Sequence, residues 1–236
     1  MPDNLSSRAF APGLLIQGFK PPLTLSSFKA IAFDMDSTLI NIECIDEIAD
    51  AVGRKAEVAA ITEAAMRGEI TDFKDSLRRR VALLRGVPAE ALSEVYDTRL
   101  KLNPGAIELM AAARSAGLHT MLVSGGFTFF ADRVRERLGM HEAHANTLEI
   151  EGGLLTGRVL GDIVDGEAKK QHLLALCLRL RCDPSLSIAV GDGANDLPMM
   201  GASGLSVAFH AKPKVREQAM VAINEGGLDR LLSLLG

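Results

Sequence analysis

The chain predicts a doubly wound parallel-sheet α/β core carrying a helical cap inserted after its first strand. Three observations carry that expectation. Short, largely apolar runs recur at Ala30–Phe33, Leu118–Val123, Leu186–Val190 and Leu205–Phe209, as in strands buried on both faces. Helical patterns separate most of them, as crossovers between parallel strands require. The stretch from Asn41 to Leu102 shows no strand pattern and is far too long for a βα loop of about 2–6 residues. The expected division is an N-terminal extension over 1–28, a Rossmann-like core from 29–40 and 103–236, and a cap over 41–102.

Each element has its local reason. Residues 1–28 hold Pro2, Pro12, Pro21 and Pro22 without a sustained period, so they are expected to be ordered only in part. In the cap, Ile45, Ile48, Ala49 and Val52 make one helical stripe closed by Gly53. Val58, Ile61 and Ala65 begin a second that stops near Gly68. Thr71 is placed to cap a third, with Phe73, Leu77, Val81 and Leu84 as its apolar face, and Pro88 opens a fourth. In the core, Asn103-Pro104 reads as an N-cap with proline at the first helical position, and Gly117 as the stop. Thr128 is placed to cap a helix that runs to Gly139. Glycines at 152, 153, 157 and 161 predict a hairpin or flap between Leu148 and Ile163. A cap after the first strand sits over the carboxyl ends of a parallel sheet, where α/β proteins bind ligands.

Composition narrows the function. The 236 residues carry a net charge of −4 and are 47% hydrophobic, which excludes disordered and collagen-like classes. The scattered basic residues predict neither a nucleic-acid nor a membrane partner. No apolar run approaches the roughly 18 residues of a membrane span, and the first residues lack the apolar core of a secretion signal. Cys44, Cys177 and Cys182 are too few for a disulfide framework and match no zinc spacing. His119 is expected to be structural, His141 and His144 to lie in a loop, and His172 and His210 to stand alone. A reduced, cytoplasmic enzyme with a small-molecule substrate is the expectation, with the oligomeric state open.

The chemistry concentrates at four places. Asp34-Met35-Asp36-Ser37-Thr38 follows the first strand. Its two carboxylates at i and i+2 share one side of an extended chain, although such residues also suit an ordinary turn. Gly191-Asp192-Gly193-Ala194-Asn195-Asp196 follows the third run and offers the hard oxygen donors that magnesium prefers. Ser124-Gly125-Gly126 brings a hydroxyl and backbone N–H groups to the start of a helix, a ready anion cradle. Lys169 lies in the first turn of a helix, where the dipole disfavours a cation and a second reason for it is needed. A doubly wound sheet brings such strand ends together.

In combination these segments resemble the four motifs of the haloacid dehalogenase superfamily. Within it, the resemblance is to the phosphoserine phosphatase family and spans roughly residues 29 to 232. It is carried further by Asn41–Ala49, Ser76–Val81, Val123–Phe127, Asn146 and Ala208–Pro213. The resemblance implies Asp34 as nucleophile, forming an aspartyl phosphate, and Asp36 as the acid that protonates the departing seryl oxygen. It implies Mg²⁺ held by the Asp34 and Asp192 carboxylates and the Asp36 carbonyl. Ser124, Gly125 and Lys169 would hold the phosphoryl oxygens, with Asn195 beside them and Asp196 orienting the shell. Glu43 would meet the substrate ammonium and Arg80 its carboxylate. Helical spacing supports Arg80 independently: it lies three after Leu77 and four before Leu84, on the inward stripe, whereas Arg78 and Arg79 fall off it. Met66 and Phe73 match apolar lid positions of the family, while spacing alone reads them as core. The residues ahead of the core are too few for the regulatory domain of larger bacterial members. The implied reaction is hydrolysis of O-phospho-L-serine, the last step of serine biosynthesis. Its rivals are action on another small phosphomonoester, phosphoryl transfer to a second alcohol, and a non-enzymatic magnesium-binding signalling domain.

Overall fold

The computed structural model describes residues 7–66 and 69–235, with the side chains of Ala65 and Met66 outside that description, so the Gly68 stop and the Met66 lid position also lie outside the described residues. In chain order the strands are β1 (Arg8–Ala11), β2 (Leu14–Ile16), β3 (Ala30–Phe33), β4 (His119–Phe127), β5 (Glu142–Glu151), β6 (Leu154–Leu160), β7 (Ser187–Gly191), β8 (Leu205–Phe209) and β9 (Val221–Ile223). They form one sheet in the order β1-β2-β9-β8-β7-β3-β4-β5-β6. The six strands from β9 to β5 pair in parallel, and the outer strands β6, β2 and β1 are antiparallel additions.

The helices are α1 (Cys44–Ala51), α2 (Lys55–Met66), α3 (Phe73–Ala82), α4 (Glu90–Thr98), α5 (Ala106–Ser115), α6 (Thr128–Leu138), α7 (Gly166–Arg179), α8 (Leu197–Ala202) and α9 (Pro213–Gln218). The alternation of β3 divides them into layers. Ile31 and Phe33 face the larger core built with α5 and α6, while Ala30 and Ala32 face Leu173 and Leu176 of α7 and Met199 and Met200 of α8. Small side chains on that second face let α7 lie close to the sheet, which brings its first turn toward the strand ends. Helices α1 to α4 all fall between β3 and α5, and the chain enters and leaves them through paired segments. Ile40 lies opposite Leu102, and the N–H of Asn41 donates to the Lys101 carbonyl at 3.0 Å.

Several local expectations change. Residues 8–16 are not an irregular extension: they form a hairpin, turned by Gly13 at φ 66°, whose second strand pairs with β9 and buries Leu14 and Ile16. Three apolar residues make too short a run to register as a period, and the distant β9 supplies the ladder. Asn103 does not cap α5. Gly105, at φ 78°, occupies that position, because a Cβ there would lie 2.3 Å from the Asp229 backbone nitrogen. The Asn103 amide instead donates to the carbonyls of Ser37, Thr38 and Ile40 at 3.4, 2.9 and 3.0 Å, so it fixes the loop after β3. The cap of α3 is Asp72, which accepts from the Lys74 N–H at 2.9 Å, in place of Thr71. Thr128 is the first helical residue of α6, with Phe127 at the cap position. His144 lies within β5, where it and His119 each meet the Glu142 carboxylate at 2.9 Å.

Asn103 ties three carbonyls of the loop after β3 to the exit of the four-helix segment. Asn103→Ala is expected to lower the unfolding free energy by about 1–3 kcal/mol. Urea denaturation followed by circular dichroism measures this, and a loss below about 0.5 kcal/mol would show that those bonds do not hold the loop.

Candidate active site

The site forms where β3, β4 and β7 end. The Asp34 N–H donates to the Val190 carbonyl at 2.9 Å, so the first carboxylate is still locked to the neighbouring strand. The chain then turns back on itself, with Ser37 at φ 56° and the Ile40 N–H on the Met35 carbonyl at 3.1 Å. That turn is what places Asp36 beside Asp34. Across the sheet, β7 ends at Gly191, whose Cβ would lie 2.4 Å from the Asp196 carboxyl carbon. Only glycine permits this approach. It lets Asp196 Oδ2 accept the N–H groups of Asp192 and Gly193 at 3.1 and 3.0 Å.

Lys169 explains its own position. Asp165 caps α7 by accepting the Ala168 N–H at 2.8 Å. One turn in, the fully buried Lys169 ammonium donates to Asp34 Oδ1 at 2.6 Å and to Asp196 Oδ1 at 2.7 Å. Two carboxylates outweigh the unfavourable dipole. Burial works against this ammonium, yet Asp196 and Asp34 raise its proton affinity above the ordinary lysine value.

The remaining expected residues line the same cleft of about 410 Å³, which includes Asp34, Asp36, Glu43, Arg80, Ser124, Gly125, Asp192 and Asn195. Ser124 and Gly125 lie within β4 rather than at the start of a helix: α6 begins three residues past Gly125, and the Gly126 N–H donates to Ser124 Oγ at 2.9 Å. Asn146 pins this end of the strand by donating to the Gly125 carbonyl at 2.8 Å while accepting the Val164 N–H at 2.8 Å. A Cβ on Gly126 would meet Asp36 Oδ2 at 2.9 Å, so the cradle and the acidic loop touch. Glu43 accepts from Ser37 Oγ at 2.7 Å and does not cap α1 with its side chain. Arg80 is half-buried, with Arg78 and Arg79 exposed, and Asp46, Glu43 and Asp36 act electrostatically on its guanidinium. Asn195 sits in the single turn Ala194–Asp196 at the rim.

A family model described as haloacid dehalogenase-like hydrolase matches residues 31–201. The chain belongs to that family. It is therefore an enzyme of the hydrolase class, which sets aside the non-enzymatic signalling reading. A phosphoserine phosphatase of Polaromonas sp. is 66% identical over 229 residues, covering 95% of this chain and 97% of that one. Two solved phosphoserine phosphatase structures, one of a phospho-aspartyl intermediate analogue and one substrate-bound, share 38% identity with a TM-score of 0.82. Each match covers 89% of this chain and 99% of the solved one. Among the described residues no helix is long and apolar enough to cross a membrane.

Seen as a hydrolase centre, the cleft is short of positive charge. Asp34, Asp36, Asp192 and Asp196 cluster here, and the buried Lys169 ammonium contacts two of them, Asp34 and Asp196. Burial, then the other carboxylates, raise Asp192 to about 8. Burial raises Asp34 to about 7 against the pull of Lys169. Asp36 rises well above the ordinary range through burial, Glu43 and Asp34, and its Oδ1 is buried without a partner. Carboxylate oxygens of Asp34, Asp192 and Asp196 lie within 4.8 Å of one another. Asp196 is already committed to Lys169 and two N–H groups, so Asp34 and Asp192 are the oxygens left for a cation. This donor set fits a hard divalent ion.

Three contributors escaped the sequence reading. Thr38 donates to Asp192 Oδ1 at 3.3 Å, joining the two acidic loops. Cys44 lies beside the Asp36 carboxyl and partly offsets the rise in its proton affinity. Lys212 lines the cleft near Glu43. None has a spacing that separates it from a surface or core residue. Phe73 does line the cleft, its ring against Gly125.

The raised values make stability pH-dependent. Folded Asp34 and Asp192, at about 7 and about 8, lie above the 3.8 of an unfolded aspartate. The folded state therefore holds more protons in that window, and metal-free stability falls as pH rises through it. A divalent cation needs those carboxylates ionised, so the Tm increase it gives is expected to grow over the same window. Thermal melts with and without Mg²⁺ across pH test this, and Asp192→Asn is expected to flatten both trends.

Proposed function

We propose that the enzyme is a magnesium-dependent phosphatase that hydrolyses O-phospho-L-serine to L-serine and phosphate, the last step of serine biosynthesis, in the cytoplasm. One observation carries the reading. A carboxylate aligned by a buried lysine, Asp34, lies beside a second, protonation-prone carboxyl, Asp36, and the same cleft holds an acidic Glu43 and a half-buried Arg80. The names of the relatives support it, and the three free cysteines suit a reducing compartment. Residues 41–102 act as the cap over the core.

Asp34 attacks the phosphorus, forming a bond from its carboxylate oxygen as the bond to the seryl oxygen breaks. The proton on Asp36 passes to that departing oxygen, which leaves as the serine hydroxyl. Burial and neighbouring carboxylates keep Asp36 protonated for this step. The now ionised Asp36 then takes a proton from water, which attacks the aspartyl phosphate, releases inorganic phosphate and restores Asp34. Lys169, the Ser124 hydroxyl and the Gly125 N–H stabilise the phosphoryl oxygens. Asp34, Asp192 and the Asp36 carbonyl would hold Mg²⁺, which supplies charge neutralisation at the phosphoryl group. Asp196 holds Lys169 and the Asp192 loop, and Asn195 closes the rim. Glu43 takes the substrate ammonium and Arg80 its carboxylate, which selects an amino-acid ester over a simple one.

Phosphate release from L-phosphoserine, phosphothreonine, sugar phosphates and p-nitrophenyl phosphate tests the reading. Preference for phosphoserine is expected, lost with EDTA and reduced at least about 10³-fold by Asp34→Asn. Arg80→Ala is expected to raise the phosphoserine KM about 10–100-fold and leave p-nitrophenyl phosphate turnover nearly unchanged. Turnover of other esters without phosphoserine would sink the roles of Glu43 and Arg80 and leave the aspartyl-phosphate chemistry standing.

A further inference from the structure

The cap touches the core at a second place, far in sequence from its two linkers. Where α3 gives way to α4, residues 86–89 run antiparallel to the tip of the β5–β6 hairpin. The Gly86 N–H donates to the Leu155 carbonyl, the Leu155 N–H to the Val87 carbonyl and the Ala89 N–H to the Gly153 carbonyl, each at 2.8 Å. Arg85 Nε adds a bond to the Thr156 carbonyl at 3.0 Å. Gly157, at φ 80°, lies so close beneath α3 that a Cβ would come within 3.1 Å of the Arg85 Cβ and 3.3 Å of the Ala82 Cα.

The base of this hairpin reaches the other end of the substrate. Asn146 of β5 holds the Gly125 carbonyl of the phosphate cradle, so one two-stranded unit runs from the cradle to the C-terminal end of α3. Helix α3 is also held at its N-terminal end, by the Phe73 ring on Gly125 and the Lys74–Asp165 ion pair at 3.1 Å. Arg80 stands two residues before Ala82, about 3 Å along the helix axis. A shift of the hairpin tip is therefore passed almost directly to the guanidinium.

We propose that the β5–β6 hairpin is a strut that fixes the distance between the phosphate cradle and Arg80, making Gly157 a positioning residue for substrate selectivity. Three backbone bonds and a side-chain bond make the tip a continuation of the sheet, so the α3–α4 end of the cap stays attached to it throughout turnover. The inference rests on the phosphoserine reading above, and it adds where the selectivity is set. A substrate has to span cradle and guanidinium at once, and misplacement by about 1 Å is costly in such a site.

Two changes test the strut in the Mg²⁺-loaded enzyme. Pro88 and Leu154 are both exposed and lie opposite each other, flanked by the Val87–Leu155 and Ala89–Gly153 bonds. That is the non-hydrogen-bonded kind of pair, with Cα atoms about 4.5 Å apart, a separation a disulfide accepts. In Pro88→Cys/Leu154→Cys, closing the bridge with oxidised glutathione is expected to leave phosphoserine kcat/KM within about twofold of the reduced form, with wild type oxidised in parallel. A loss of about tenfold or more on oxidation would show that the cap must leave the hairpin, and would overturn the strut. Gly157→Ala is expected to raise the phosphoserine KM by about fivefold or more while p-nitrophenyl phosphate kinetics stay unchanged. Equal effects on both substrates, or none, would overturn it. Arg80→Ala beside them separates the two readings. Selectivity intact in Arg80→Ala sinks the substrate assignment and the strut's role with it. Selectivity lost there but kept in Gly157→Ala sinks the strut alone.

Discussion

The buried ammonium of Lys169 joins three chain segments at one point. It receives one oxygen from the end of β3 and one from the loop after β7, and it rides on the first turn of α7. Removing Lys169 would leave two buried carboxylates without their cation, a loss of the order of 3–5 kcal/mol. The geometry around it follows in sequence. The Lys169 bond fixes Asp196, Asp196 fixes the Asp192 and Gly193 N–H groups, and Thr38 carries the constraint back to the first acidic loop. Small residues on the α7 face of β3 are the packing counterpart of that bond. A bulkier side chain at Ala30 or Ala32 would push α7 outward and lengthen the contact on which the centre depends.

The same ion pair leaves the centre with an imbalance. One buried ammonium among four clustered carboxylates holds Asp34 partly in check and leaves Asp36 and Asp192 with raised proton affinities. For Asp36 that elevation is useful, because a carboxyl has to be protonated to donate to a leaving alkoxide. For Asp192 it is an elevation that Lys169 offsets in part and that a bound divalent cation would offset further. In the proposed mechanism one surplus of negative charge thus serves two ends, a protonated acid at Asp36 and a cation held at Asp34 and Asp192. Their partners differ: Asp34 and Asp196 each accept from the ammonium, Asp192 accepts from Thr38, and Asp36 Oδ1 is left without a partner.

How much of this was legible in the sequence depends on the range of each interaction. The parallel core showed in its apolar runs, and the acidic loops showed because glycine and aspartate cluster at the ends of those runs. The inward position of Arg80 followed from helical spacing within α3, a local relation. What escaped was built from partners distant in the chain. The β1–β2 hairpin depends on β9, the true role of Asn103 on carbonyls more than sixty residues earlier, and the Cys44 contact on the turn at Ser37. Asn103 misled because Asn-Pro is a sound local capping signal. The close approach of Gly105 to Asp229 took the cap position, and the freed amide was used where three carbonyls of the β3 loop needed a donor.

Glycine carries a further part of the argument. Gly125, Gly126 and Gly191 have no unusual φ; each is required because a side chain would occupy the space of Phe73, of Asp36 or of Asp196. These three positions are where α3 meets the end of β4, the end of β4 meets Asp36, and the end of β7 meets Asp196. The centre is thus assembled by backbone brought into contact with functional side chains, and its carboxylates sit at separations that longer side chains at those positions would forbid. Burial leads in raising the proton affinities of Asp34, Asp36 and Asp192, and the nearness of the other carboxylates adds to it, so the close backbone packing that buries these groups takes part in setting the acid–base behaviour of the site.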